Sequence, residues 1–453
     1  MYLDYEEEKM KRGMCLLLIF LLVVSSLTAA GKKDEASSPI VEVSVFATEE
    51  SQQKLNLKVF SSLLEEYNSI NGTSYQLKLV TGQSKDIINT RMSSNNKPDI
   101  FILDSPADVH QYAQDGLLLD LTKYAQSYRW EEVLFPWAFD LAKVQNRVMT
   151  LPYGYEGMVL WYNKQIMKQL GLEAESIIDL NSFENAMIRA KNAGYVPVML
   201  GSQDWPWAQE WYLSILYSYT GRALVKNTVE GKNPNGWNDE AFKKTVELYK
   251  SWHQKGYLAD GKSFVLTSDD AINAFTTDKA LFKLEGSWAP YWIAPLDAKD
   301  QDKIGVMLHP AINDVEKPHL PLAVGGMWCA SADTKHPDVV GFLISGLLRQ
   351  DFQRDFLATG MDVAPMDIDD EMFSDLPPTI RAMWSMVNDA LTNNSFGYTT
   401  WAFYPPETRV YLYEGIISVL ENRLSVADYL AEMNRLNTLE LQQGFEPVIP
   451  SAL

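Results

Sequence analysis

Cysteine is almost absent: Cys15 and Cys329 are the whole supply in 453 residues. The first lies in a segment expected to be removed, so no disulfide framework is available. Histidine is scarce too. His110, His253, His309, His319 and His336 show no H-x-x-x-H or H-x-H spacing and no C-x-x-C pair accompanies them, which removes the ligand patterns of structural and catalytic zinc. Positive charge is short as well, with 39 basic residues against 59 acidic ones and a formal charge of -20. A surface that negative repels phosphate backbones, so no nucleic acid is expected as a partner. There is no G-x-S-x-G elbow, no G-x-G-x-x-G and no EF-hand loop, and the acidic run at 367–371 lacks the glycine and ligand order of a calcium loop. No metal or cofactor is expected.

One apparent motif fails on physical grounds. Residues 256–263 (GYLADGKS) match G-x-x-x-x-G-K-S letter for letter. A phosphate cradle needs a strand before its glycines and a helix N-terminus after its lysine. Here an amphipathic helix precedes Gly256 and an apolar, extended-looking run (Phe264, Val265, Leu266) follows, so a helix cap and a turn are expected. Glycoside hydrolysis would require two facing carboxylates, and with 59 acids spacing singles out no pair. No catalytic residue is assigned.

The chain is about three times as long as a comfortable single domain, and 46% hydrophobic and 22% charged residues are ordinary globular usage. At the N-terminus, Lys11 and Arg12 precede an uncharged stretch whose apolar heart is residues 15–24 (CLLLIFLLVV), followed by Ser25, Ser26, Thr28, Ala29 and Ala30. That order is a secretory signal, expected over residues 1–30, with Met10 a more ordinary start than the acidic leader before it. The same run is long enough to remain as an anchor. Residues 27–33 (LTAAGKK) are similar to a bacterial lipoprotein box and tether, but Ala30 stands where the lipidated cysteine belongs. Residues 31–39 read as a flexible leash.

Beyond it, residues 40–46 alternate Val41, Val43 and Val45 on one face. A helical stripe (Val59, Phe60, Leu63, Leu64, Tyr67), a strand at 75–80, a helix at 86–93 and a buried strand at 99–103 follow. Such β-α-β-α-β alternation predicts a mostly parallel sheet covered by helices. Ligands of open sheets sit beyond the carboxyl ends of strands, which points to Ala47, Thr48 and Glu49 after the first strand and Asp104 and Ser105 after the third. Further on, Asn181 is the expected cap of a helix ending at Gly194, and 239–255 form a second, with Phe242, Val246, Tyr249 and Trp252 inward.

Aromatic residues are plentiful, with 13 Trp and 22 Tyr. Asp204-Trp205-Pro206-Trp207, Glu285-Gly286-Ser287-Trp288 and Gly325-Gly326-Met327-Trp328 each put a tryptophan beside glycine or proline, where a turn is expected. Indole faces flanked by carboxylates suit sugar rings, which present apolar C–H faces and a rim of hydroxyls.

The order of segments resembles the extracellular solute-binding proteins of the maltose-binding type, the capture components of bacterial sugar importers of the ABC class. The resemblance rests on Lys97-Pro98-Asp99-Ile100, on residues 151–157 (LPYGYEG) with 160–164 (LWYNK), on Ala193-Gly194-Tyr195-Val196-Pro197, on Ala274-Phe275 with 281–288, and on Gly325-Gly326 leading to Pro337. It implies an α/β, two-lobed periplasmic-binding-protein-like fold of type II, with a hinge and a ligand cleft. Lobe one would be 40–154 plus 321–370 and lobe two 155–320 plus 371–453. Crossings are expected near 152–156, 318–325 and 367–375. The ligand-binding residues expected on this basis are Glu49, Asp104, Tyr155, Glu156, Trp205, Trp207, Trp288, Trp328 and Trp401. The implied function is capture of a sugar or oligosaccharide outside the cytoplasm for membrane permease subunits, by a monomer without catalysis. A cationic solute such as a polyamine on the same fold, and a secreted carbohydrate-active enzyme, are the alternatives.

Overall fold

The computed structural model describes residues 38–450 apart from 48–49, 204–206, 359–362, 369 and 375. The expected signal segment (1–30) and all but the last two residues of the expected tether (31–39) therefore lie outside the described residues, as do Glu49 and Trp205, and so does the side chain of Trp207. No described helix is long and apolar enough to cross a membrane.

The chain opens with β1 (Ile40–Ser44), α1 (Glu50–Asn71), β2 (Gln76–Val80), α2 (Lys85–Met92), β3 (Ile100–Leu103) and α3 (Pro106–Gln114). β1 pairs in parallel with both β2 and β3, as the alternation predicts. Val41, Val43 and Val45 are buried, as are Val59, Phe60, Leu63 and Leu64 of α1. Ser105 caps α3 by accepting from the Asp108 N–H, and Pro106 at the first helical position loses no hydrogen bond. The chain therefore turns just after Asp104.

The middle of the chain holds β4 (Leu151–Asn163), α4 (Leu180–Asn192), β5 (Val196–Met199), α5 (Trp207–Thr220), α6 (Glu240–Gln254), β6 (Ala280–Gly286) and β7 (Ile304–Met307). Asp179, not Asn181, caps α4. Its carboxylate accepts from the Ser182 N–H at 2.8 Å while the Ser182 hydroxyl accepts from the Asp179 N–H at 3.1 Å, a reciprocal box that Asn181 has no geometry to form. The phosphate-loop lookalike follows α6 directly, and Ser263–Val265 is a short 3₁₀ turn where an extended run was expected.

The last third comprises β8 (Leu320–Ala330), α7 (Pro337–Gly346), α8 (Pro378–Thr392), β9 (Phe396–Tyr398), α9 (Thr400–Phe403), α10 (Pro406–Leu420) and α11 (Val426–Gln442). The strands join in the order β2-β1-β3-β8-β4-β6-β5, with β9 on β8 and β7 on β4. The sheet is mixed rather than mostly parallel, because the long strands β4 and β8 run antiparallel to each other, β8 also to β3, and β4 also to β6 and β7. β4 pairs with β8 through its first half and with β6 and β7 through its second. One strand thereby ties the two ends of the sheet together.

Candidate functional site

Three half-buried tryptophans from segments distant in sequence meet at one place. Trp211 on α5 and Trp288, just after β6, have ring centroids 5.2 Å apart at 59°, and Trp288 and Trp401 on α9 are 6.2 Å apart at 74°. The rings touch edge and face, so they leave no slot between them and form one angled aromatic surface. β6 is buried along its length, and the chain leaves it at Gly286. A Cβ there would lie 2.2 Å from the Trp288 ring, so only glycine lets the indole fold back across its own backbone. The Trp288 indole N–H then donates to Glu285 Oε1 at 2.8 Å, and Glu285 Oε2 accepts from Lys283 Nζ at 2.5 Å.

Polar groups stand around this surface. Arg409 on α10 donates from Nη1 to the Trp401 carbonyl at 2.9 Å and places Nε 3.8 Å from Glu210 Oε1. Glu210, on α5, is 3% exposed. Burial raises its carboxyl to about 7, against the opposing pull of Arg409 and the Thr400 hydroxyl. The Thr400 N–H and hydroxyl also meet Ser214 Oγ, at 2.9 Å each. Asp104, immediately after β3, is exposed; desolvation by the protein around it, with the charge of Asp108 adding to it, raises its carboxyl, while Lys85 and Arg409 pull it down. Arg409 links it electrostatically to the Trp401 side.

Glu156 lies half-buried on β4 opposite Ala323. Its carboxylate rests over Gly325, where a Cβ would come within 2.2 Å of Oε1. Tyr155, the preceding residue, points the other way, as alternation along a strand requires. It is wholly buried against Trp384, 5.6 Å ring to ring, and its hydroxyl has no partner among the described residues. Trp328 was expected in a turn. It lies instead inside β8, 1% exposed, with Phe60 and Tyr153 each 5.3 Å from its ring. The glycines before it form an irregularity in the strand, the register shifting between Val324 and Met327, and not a loop.

The structure thus brings Trp288 and Trp401 together, leaves Glu156 half-buried on β4 and Asp104 exposed just after β3, and places Tyr155 and Trp328 in the core. Sequence reading missed Trp211, Glu210 and Arg409. Trp211 had a signal, four residues after Trp207 on one helical face; Arg409 had none. Among the described residues no group of three or more His, Cys, Asp or Glu could hold a metal ion.

The model of the bacterial extracellular solute-binding protein family matches residues 56–345. The chain belongs to that family. It is 23% identical to a maltodextrin-binding protein of Bacillus subtilis over 342 residues, 73% of this chain and 75% of the relative. Among solved structures, a chitin oligosaccharide binding protein superposes with a TM-score of 0.73 at 21% identity, over 89% of this chain and 99% of the other. The GacH receptor of Streptomyces glaucescens, solved unliganded and in complex with acarbose, gives 0.68 at 18% identity over 89% and 99%. The fold is the two-lobed α/β fold of the periplasmic binding proteins, type II.

Proposed function

We infer that this solute-binding protein captures a sugar or oligosaccharide between two lobes and hands it to the permease of an ABC importer. The lobes are 40–154 plus 321–370 and 155–320 plus 371–453. The observation that carries the reading is the convergence of Trp211, Trp288 and Trp401 on one surface. Indole faces receive the C–H faces of pyranose rings, and carboxylates such as Asp104 and Glu156 accept from equatorial hydroxyls. The relatives named above bind maltodextrin, chitin oligosaccharide and acarbose. Asp104 belongs to one lobe, the tryptophans to the other. Ligand contacts from both form only when the lobes are shut, so the ligand shifts the open-closed balance by its preference for the closed state. The charge of Arg409 acts on Asp104, which disfavours a polyamine there.

A thermal-shift screen of residues 31–453 against mono- and oligosaccharides, polyamines and amino acids tests this. Ligand at 100 times its Kd adds about 2.7 kcal/mol of stability. A shift confined to carbohydrates is the expected result. A shift with polyamines alone would replace the substrate, and slow hydrolysis of a bound sugar would replace receptor with enzyme.

A further inference from the structure

The carboxylate of Glu285 is occupied on both sides. Oε1 accepts the Trp288 indole N–H at 2.8 Å and Oε2 accepts Lys283 Nζ at 2.5 Å. Glu285 is 3% exposed and Lys283 2%. Neither can touch a ligand arriving from solvent, so their use must lie in what they hold. Residues two apart on a strand point to one face, and Lys283, Glu285 and the returning Trp288 therefore form a short chain on the same side of β6. Such a pair is expensive to bury: desolvating two charges is offset only by close geometry and further hydrogen bonds. Apolar side chains would support an indole at lower cost. They would not fix its rotation, because a flat ring packed on one face still has alternative rotamers. A hydrogen bond to the single N–H removes that freedom.

We propose that Glu285, clamped by Lys283, is a positioning residue that locks the Trp288 indole in the orientation joining it to Trp211 and Trp401. The ligand then meets a preformed surface and spends no affinity on ordering it. This rests on the reading of that surface as the carbohydrate platform.

The test has one arm without ligand and one with it. The Trp288 indole ¹H–¹⁵N resonance is assigned by its loss in W288F. In E285A it should move and exchange faster with water. In K283M/E285Q, where an amide oxygen still accepts from the indole and no charge is left unpaired, it should stay near its original position. Binding of the carbohydrate found by the screen should weaken ten- to a hundredfold in E285A, recover to within threefold in K283M/E285Q, and change less than twofold when E285A is added to W288A. An unmoved resonance in E285A, or an E285A loss as large without Trp288 as with it, overturns the proposal. If the resonance responds as described while no carbohydrate binds, the clamp stands and the carbohydrate reading falls.

Discussion

A carboxylate with almost no solvent must either find a cation or keep its proton, and Glu210 lies between these. Arg409 is at 3.8 Å, too far for a full hydrogen bond, and the carboxyl sits at about 7 against an ordinary 4.5. Between those pH values the folded protein holds more protons on this group than the unfolded chain does. Its contribution to stability therefore falls as pH rises from 4.5 to 7. Glu210→Gln removes that slope, and the variant should exceed the parent by about 3 kcal/mol at pH 8 but match it near pH 4.5. Denaturant titrations at several pH values check this; a difference that does not vary with pH would refute it. For the proposed ligand surface, Trp288→Ala and Trp401→Ala should each weaken binding by about 1.5 to 3 kcal/mol with folding intact, measured by calorimetry. Trp328→Ala, by contrast, should cost about 3 to 5 kcal/mol of stability, since it empties a filled core site.

At the scale of elements, β4 and β8 are buried on both faces except at Tyr153, Glu156, Tyr162 and Gly325, which are half-buried. Alternation puts Glu156 outward and Tyr155 inward, and the irregularity at Gly325 opens space for the Glu156 carboxylate. Gly325→Ala meets mainly the end of that flexible side chain, so the carboxylate should swing aside. Its binding loss should equal that of Glu156→Ala, with less than about 1 kcal/mol change in stability. Unequal losses would show that Gly325 acts through the backbone instead. This element shows where sequence reading runs out. Residues 40–103 declare their strands and helices because valine alternation and helical spacing are local signals, and they appear as expected. The Gly325-Gly326 pair carries the local signal of a turn, yet neighbours on both edges of β8 hold it extended, so Trp328 changes from a surface ring to a core one. Trp288 and Trp401 were legible as turn-flanking tryptophans. That Trp211 joins them depends on how α5 docks against β6 and α9, which no periodicity reports.

Over the whole molecule, the buried histidines contribute to the response to acid. His309 and His319 are each lowered by burial to about 4 from 6.5, and His110 and His253 are lowered too. His309 lies in the core beside Phe183, and His319 meets the Ser218 hydroxyl at 2.6 Å. Each is neutral in the folded state where the unfolded chain takes a proton, so stability rises with pH between 4 and 6.5 and is lost as acid is added. From 4.5 to 6.5 the slope set by His309 and His319 opposes that of Glu210. In Glu210→Gln the opposing slope is gone, so the loss of stability from pH 6.5 to 4.5 should be about 2 kcal/mol larger than in the parent. Urea unfolding of both proteins at pH 4.5, 5.5 and 6.5 measures the two slopes, and equal slopes would mean that Glu210 does not titrate in this range.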